Sequence, residues 1–203
     1  MSSKTLQDAQ KMREAMRLKF TYRFWWRMQW EQESVAAHSW SMMLVADYLL
    51  AKLEELAPWK YILDTAKVYS LIAYHDLIEA ETGDEDVDPS NQENHKQKNE
   101  NEKAAFHSFQ EKLPTEIQKK FEDMYSEYEE RKTIESRFVK IVDCIEAEFF
   151  CHEMWELFTT WTKDFHEELR LKHFRHFPEL TPLIEDIIRD CDEKYYRKKS
   201  KLC

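Results

Sequence analysis

The sequence predicts an all-α fold, a single helical bundle. Three observations carry that expectation. The chain has one glycine, Gly83, and five prolines in 203 residues. Apolar residues recur at helical spacing in segment after segment. Glu, Lys, Leu and Ala, all good helix formers, are abundant. Tight hairpin turns draw on glycine at positive φ, so an all-β architecture is disfavoured. Phosphate-cradling P-loops and dinucleotide-binding turns need several glycines and are excluded too. A chain of this length suggests one domain at about 150 residues per domain.

Taken in order, Leu6, Met12, Ala15, Met16 and Lys19 predict a first amphipathic helix over residues 4–19. Residues 20–33, FTYRFWWRMQWEQE, are dense in aromatics and arginine without a clear period, and read as an irregular connection. Ser34 can cap a second helix running to about Leu56, with Val35, Met42, Val45, Ala46 and Leu49 as its buried stripe. A third helix is expected over 61–80, where Ile62, Ala66, Tyr69, Leu71, Ile72 and Ala73 suggest a central position.

From Thr82 to Lys103 the composition turns polar, predicting a loop that runs into a solvated helix start. Residues 104–112 and 115–130 read as two helices separated by Pro114. Residues 133–158 form another strong candidate, with Phe138, Ile141, Val142, Ile145, Phe149 and Met154 at helical spacing. After a Trp- and His-rich stretch and Pro178, a last helix is expected over about 182–197.

The net charge of −10 disfavours sequence-independent binding to nucleic acid, which depends on basic patches. The one basic cluster read from the sequence, Lys194, Arg197, Lys198, Lys199 and Lys201, suits a helix C-terminus. The cysteines at 144, 151, 191 and 203 form no CxxC pair and fit reduced thiols. There is no apolar run of about eighteen residues and no leader-like N-terminus. A cytoplasmic protein without membrane contact is the expectation.

The chemistry concentrates in LIAYHDLIEAETGD. His75 and Asp76 are adjacent near the end of an apolar helix. Burying a carboxylate there without a partner costs several kcal/mol, and a divalent cation is a compact compensation. Glu79 follows one helical turn later, and Asp84 follows the glycine. His38 stands in ESVAAHSW, and Asp143 inside the apolar run FVKIVDCIEAEFF. His38, His75, Asp76 and Asp143 would supply two imidazoles and two carboxylates from three helices, a common way to build a metal site in a bundle. Such a set suits one divalent transition metal (Mn, Co, Fe, Ni or Zn) more than Ca or Mg. Singly, His38 reads more often as a capping or core histidine, and Asp143 could pair with Lys140 or Arg137. The other histidines read as surface or structural, although His173 and His176, three apart, could bind a metal adventitiously.

These motifs resemble the HD-domain metal-dependent phosphohydrolases, and more closely the YfbR-like and HD-domain-containing 5′-deoxynucleotidases. The matching residues are Arg23, Glu33-Ser34-Val35 with His38-Ser39, His75-Asp76, Glu79, Thr82-Gly83-Asp84 and Asp143. The likeness covers about residues 5–160, leaving a helical extension over about 161–203. It implies an HD-domain helical bundle with a metal site between core helices, held by His38, His75, Asp76 and Asp143. It further implies that Glu79 and Asp84 act on the attacking water and the leaving oxygen, and that Arg23 holds substrate phosphate. Phe24 is the aromatic expected to stack on a base or sugar, against the plainer reading of Phe24, Trp25, Trp26 and Trp30 as a packed connection. Ala37 departs from the acidic residue usual before the ligand histidine, and DEDVDPSNQENH, from Asp84 on, is more acidic than the usual turn.

The activity implied is removal of the 5′-phosphate from deoxyribonucleoside monophosphates by a homodimer. Two alternatives stand beside it. One is an HD phosphohydrolase acting on nucleoside triphosphates or nucleotide analogues. The other is a catalytically silent scaffold that binds a nucleotide.

Overall fold

The computed structural model describes residues 4–23, 33–84, 92–153 and 163–202. The helices are α1 (Lys4–Ala15), α2 (Val35–Leu56), α3 (Thr65–Tyr74), the single turn α4 (Glu79–Thr82), α5 (Gln92–Lys112), α6 (Thr115–Glu130), α7 (Ile134–Glu153), α8 (Lys163–Leu171) and α9 (Thr181–Leu202). Short 3₁₀ turns cover Met16–Phe20, Phe174–His176 and Pro178–Leu180. Among the described residues the one β pairing is an isolated antiparallel bridge between Tyr22 and Ser34. The fold is all-α, as expected.

Helix α7 is the hub. It packs on α2, α3, α6 and α9. Its Phe138, Val139, Ile141, Val142 and Ile145 are buried with Met42, Ala46 and Leu49 of α2 and Leu71 and Ile72 of α3. The same cluster takes in Phe174, Phe177, Leu180, Ile184 and Ile188, so the C-terminal segment shares the core rather than trailing from it. A second cluster, Ala15, Ile78, Phe109, Leu113, Phe121 and Tyr125, ties α1, α5 and α6 to the turn after α3.

Local signals explain the helix starts. The Ser34 side chain accepts from the Ala37 N–H at 3.1 Å and caps α2, whose expected stripe is buried throughout. Asp64 does the same for α3, accepting from the Lys67 N–H at 3.0 Å. That cap starts α3 at Thr65 rather than residue 61, and Ile62, expected in the helix, precedes it and is 87% exposed.

The expected helix over 61–80 also ends early. After Tyr74 the chain tightens into i→i−3 bonds: Leu77 N–H to Tyr74 O at 3.3 Å, Glu79 N–H to Asp76 O at 3.0 Å and Glu81 N–H to Ile78 O at 2.9 Å. Gly83, at φ 79 and ψ 162, then stops α4. Two other expectations are corrected. Leu6, Met12 and Met16 lie exposed, leaving Ala15 and Leu18 as the buried residues at the chain's start. The polar region forms helix from Gln92, so α5 is about a dozen residues longer than its apolar spacing suggested. Residues 85–91 of the expected polar loop lie outside the described residues, as does Met154. No helix among the described residues is long and apolar enough to cross a membrane.

Candidate metal centre

His38 sits in the first turns of α2, His75 at the end of α3, Asp76 in the tight turn beyond it and Asp143 in the middle of α7. Packing of α2, α3 and α7 brings them together. His38, His75 and Asp76 each offer a ligand atom within 4.8 Å of the others. His75 Nε2 lies 2.9 Å from Asp76 Oδ2, and His38 Nε2 lies 3.9 Å from Asp76 Oδ2 and 3.3 Å from Asp143 Oδ1. Both imidazoles are almost wholly buried.

The ring nitrogens show what this site needs. His75 Nδ1 is 2.9 Å from the Ile72 carbonyl, so it donates, and the neutral ring then carries a bare lone pair on Nε2. That lone pair faces a carboxylate oxygen. His38 Nδ1 lies 2.5 Å from Glu146 Oε2 and 2.6 Å from Arg23 Nη1, and in the neutral ring that donates to Glu146 the Nε2 is likewise a bare lone pair. Neither Nε2 has a hydrogen-bond partner. Two buried lone pairs converging with two carboxylates form a donor set that fits a divalent cation.

The electrostatics agree. Burial and the Arg23 charge oppose protonation of His38, yet Asp143 and Glu146 prevail and push it up to about 9. Burial works against the Asp76 and Asp143 charges. Asp76 is nonetheless held below the usual carboxylate range by His75 and His38, and Asp143 well below it by Lys140 and His38. The field of the site favours positive charge.

Two supporting residues, Glu146 and Tyr128, escaped the sequence reading. Glu146 lies one turn after Asp143 on the same face of α7, which the i, i+3 spacing could have revealed. Tyr128 Oη and Lys140 Nζ both donate to Asp143 Oδ2, at 2.9 and 2.6 Å, leaving Oδ1 toward His38. The pairing of Asp143 with Lys140 and its place beside His38 therefore hold together. Glu33 and Glu146 also group with His38 Nδ1, but the cation there is Arg23.

Arg23 reaches the centre because Tyr22–Arg23 folds back on the start of α2. Its N–H donates to Glu33 O, and the Val35 N–H donates to Thr21 O, both at 2.9 Å. Its Nη1 lies 2.9 Å from Glu33 Oε2 and 3.3 Å from Glu146 Oε2. Burial works against that charge, but Glu146 and Glu33 raise the Arg23 pKa above its ordinary value. Burial pushes Glu33 itself up to about 7 against the pull of Arg23.

Glu79 is buried in α4, and Asp84 is half-buried just past Gly83. Phe24 lies outside the described residues, as do Trp25, Trp26 and Trp30. Of the other histidines, His107 is exposed and His152 pairs with Asp190 at 3.0 Å. His173 and His176 lie among cations, a poor setting for a metal ion. Cys144 and Cys191 are free thiols.

Fold and site together define an HD-domain protein with a candidate metal centre between α2, α3 and α7. The chain belongs to the HD-domain family, whose model matches residues 15–174. Among curated proteins it is similar to the 5′-deoxynucleotidase HDDC2 of Bos taurus, 28% identical over 157 residues that make 76% of this chain and 70% of that protein. Among solved structures it resembles a predicted metal-dependent phosphohydrolase of Magnetospirillum magnetotacticum, with a TM-score of 0.72 and 22% identity over 96% of this chain and 98% of that one. An HD-domain phosphohydrolase of Listeria innocua gives the same TM-score at 17% identity, covering 93% and 92%. These structural likenesses show a shared fold.

Proposed function

We propose that this protein hydrolyses 5′-deoxyribonucleoside monophosphates to the deoxynucleoside and phosphate. The observation that carries the reading is the pair of buried imidazole Nε2 atoms, without hydrogen-bond partners, beside Asp76 and Asp143. The likeness to a 5′-deoxynucleotidase supplies the substrate class.

In this reading His38, His75, Asp76 and Asp143 hold one divalent transition metal. Such a cation withdraws charge from phosphoryl oxygens and lowers the pKa of a bound water to about 7. The remaining work falls to the chain. Glu79 takes the proton of the attacking water as its oxygen bonds to phosphorus. Asp84 protonates the 5′-oxygen as the P–O bond breaks, and exchange with solvent resets both carboxyls.

Arg23 would hold phosphate oxygens. The planar guanidinium fork matches two phosphate oxygens at once, a geometry a lysine does not reproduce. Phosphoryl transfer needs chiefly positioning and charge neutralisation, which such a site provides. Phe24 is proposed to stack on the base or sugar, and a homodimer is the proposed assembly.

A panel of nucleoside mono- and triphosphates, assayed by product analysis with Mn, Co and Mg, tests the reading. Free phosphate should appear from deoxynucleoside monophosphates and vanish on chelation. A metal-loaded protein that releases phosphate from none of them would refute it.

A further inference from the structure

The α6–α7 turn and the segment after α8 line a cavity of about 450 Å³. Arg131, Arg137, Lys140, Lys172 and Arg175 line it, against one carboxylate, Glu130. In a chain of net charge −10 that is an inversion of sign. Elsewhere, cations such as Lys4, Lys60, Lys67, Lys112, Lys119 and Arg189 lie within 4.0 Å of a carboxylate. Among the described residues Arg131, Arg137, Lys172 and Arg175 have no carboxylate within that distance, and Lys140 has Asp143.

Arg131 adds two observations. It takes a left-handed conformation, φ 51, at the end of α6, where glycine or asparagine is usual. Its Nε is buried without a hydrogen-bond partner. Gathering like charges around one hollow is unfavourable unless an anion offsets them.

The cavity is joined to the metal centre through Lys140, which lines the one and donates to Asp143 in the other at 2.6 Å. Along α7, Arg137, Lys140, Asp143 and Glu146 follow at three-residue steps, about 4.5 Å of helix axis each. The cationic cavity and the Arg23–Glu146 pair thus lie at opposite ends of this row, with Asp143 between.

We propose that this cavity binds an oligophosphate, through guanidinium forks from Arg131, Arg137 and Arg175 and the ammonium groups of Lys140 and Lys172. Planar guanidinium groups match phosphate oxygens two at a time. The volume falls within the range of pockets that hold small-molecule ligands and exceeds the needs of a single orthophosphate. The oligophosphate is either the tail of a nucleotide held at the centre or a separate small ligand. The proposal goes beyond the hydrolysis reading and does not depend on it.

The test is calorimetric titration of the full-length, metal-loaded protein with inorganic tripolyphosphate, comparing wild type with the Lys172→Ala/Arg175→Ala double variant. Both side chains are exposed, so the variant should fold as wild type does. Affinity should fall by about tenfold or more, the loss of roughly one charge-assisted contact, while the melting temperature holds. Phosphate release from deoxynucleoside monophosphates, if present, should keep its kcat/KM within about twofold, because neither residue belongs to the proposed catalytic machinery.

A second arm separates the two sources. If the double variant also weakens binding of a deoxynucleoside triphosphate, the site takes a nucleotide tail. If tripolyphosphate binding is lost while triphosphate binding is unchanged, the ligand is a separate oligophosphate. Either outcome supports the site. No tripolyphosphate binding by wild type, or equal affinity in the double variant, would overturn it. The isotherm reads binding without hydrolysis, so its failure is distinguishable from failure of the hydrolase reading.

Discussion

At the residue scale the decisive feature is which ring nitrogen carries the proton. The Ile72 carbonyl takes the Nδ1–H of His75, Glu146 Oε2 and Arg23 Nη1 both stand at Nδ1 of His38, and both Nε2 atoms face carboxylates. Glu146→Gln should therefore weaken metal affinity by about 10–100-fold, the usual effect of losing such an orienting carboxylate. Competition with a fluorescent chelator would measure it, and unchanged affinity would remove Glu146 from that role. Glu79→Ala should leave bound metal intact while kcat falls by about 10²–10⁴, the range for a general acid–base group. Elemental analysis alongside kinetics checks both halves.

His173 allows a prediction about pH. Burial and the nearby Lys140, Arg131 and Lys172 charges lower its pKa to about 3. Between that value and the unfolded value of about 6.5 the unfolded chain binds a proton that the native state does not. Stability therefore falls as the pH drops through this window, and His173→Gln should flatten the fall. Melting temperatures at pH 7.5 and 5 should converge in the variant relative to wild type.

At the element scale the informative segment is the run from Tyr74 to Asp84. A continuous helix would carry Glu79 one turn above His75. The tightening to i→i−3 bonds instead separates α3 from α4, and Gly83 then turns the chain sharply toward Asp84. At φ 79 and ψ 162 Gly83 occupies a region essentially reserved for glycine, and nothing lies within 4 Å of where a Cβ would stand. The cost of Gly83→Ala is therefore one of backbone conformation, about 1–3 kcal/mol. Chemical denaturation would read it, and a neutral result would mean that the turn re-forms at no cost. The start of α2 was legible because Ser34 caps it through its side chain, whereas the start of α3, expected at residue 61, is set by the Asp64 cap that the apolar spacing did not reveal. The extent of α5 was not legible either, since its first turns carry no apolar stripe to mark a helix.

At the scale of the whole molecule, the C-terminal segment completes the core that the site rests on. Phe177 is fully buried, with ring centroids 4.9 Å from Tyr61 and 5.7 Å from Phe138. Tyr61 Oη donates to Glu179 at 2.6 Å, fixing the same corner from outside. Phe177→Ala should cost about 3–5 kcal/mol, as for other large-to-small core changes. Because Phe138 lies on α7 five residues before Asp143, the variant should also loosen metal binding. Denaturation and metal titration on one preparation would show whether the two losses travel together.

The sequence by itself determined the helical class, most helix positions and the chemical types gathered at the centre. Those depend on glycine content, local caps and 3.6-residue periodicity, all of which act over a few neighbouring residues. It also carried His38, His75, Asp76 and Asp143 as candidates, because polar groups in apolar runs are conspicuous. The tertiary structure decided the rest. The tautomers of both histidines, the bracing of Asp143 by Tyr128 and Lys140, and the Arg23–Glu146 pairing join residues up to 123 positions apart. The cationic cavity likewise joins the α6–α7 turn to the segment after α8, where no sequence window sees five scattered cations as one field. Such convergence follows from how helices pack on α7, and packing is a property of the folded chain.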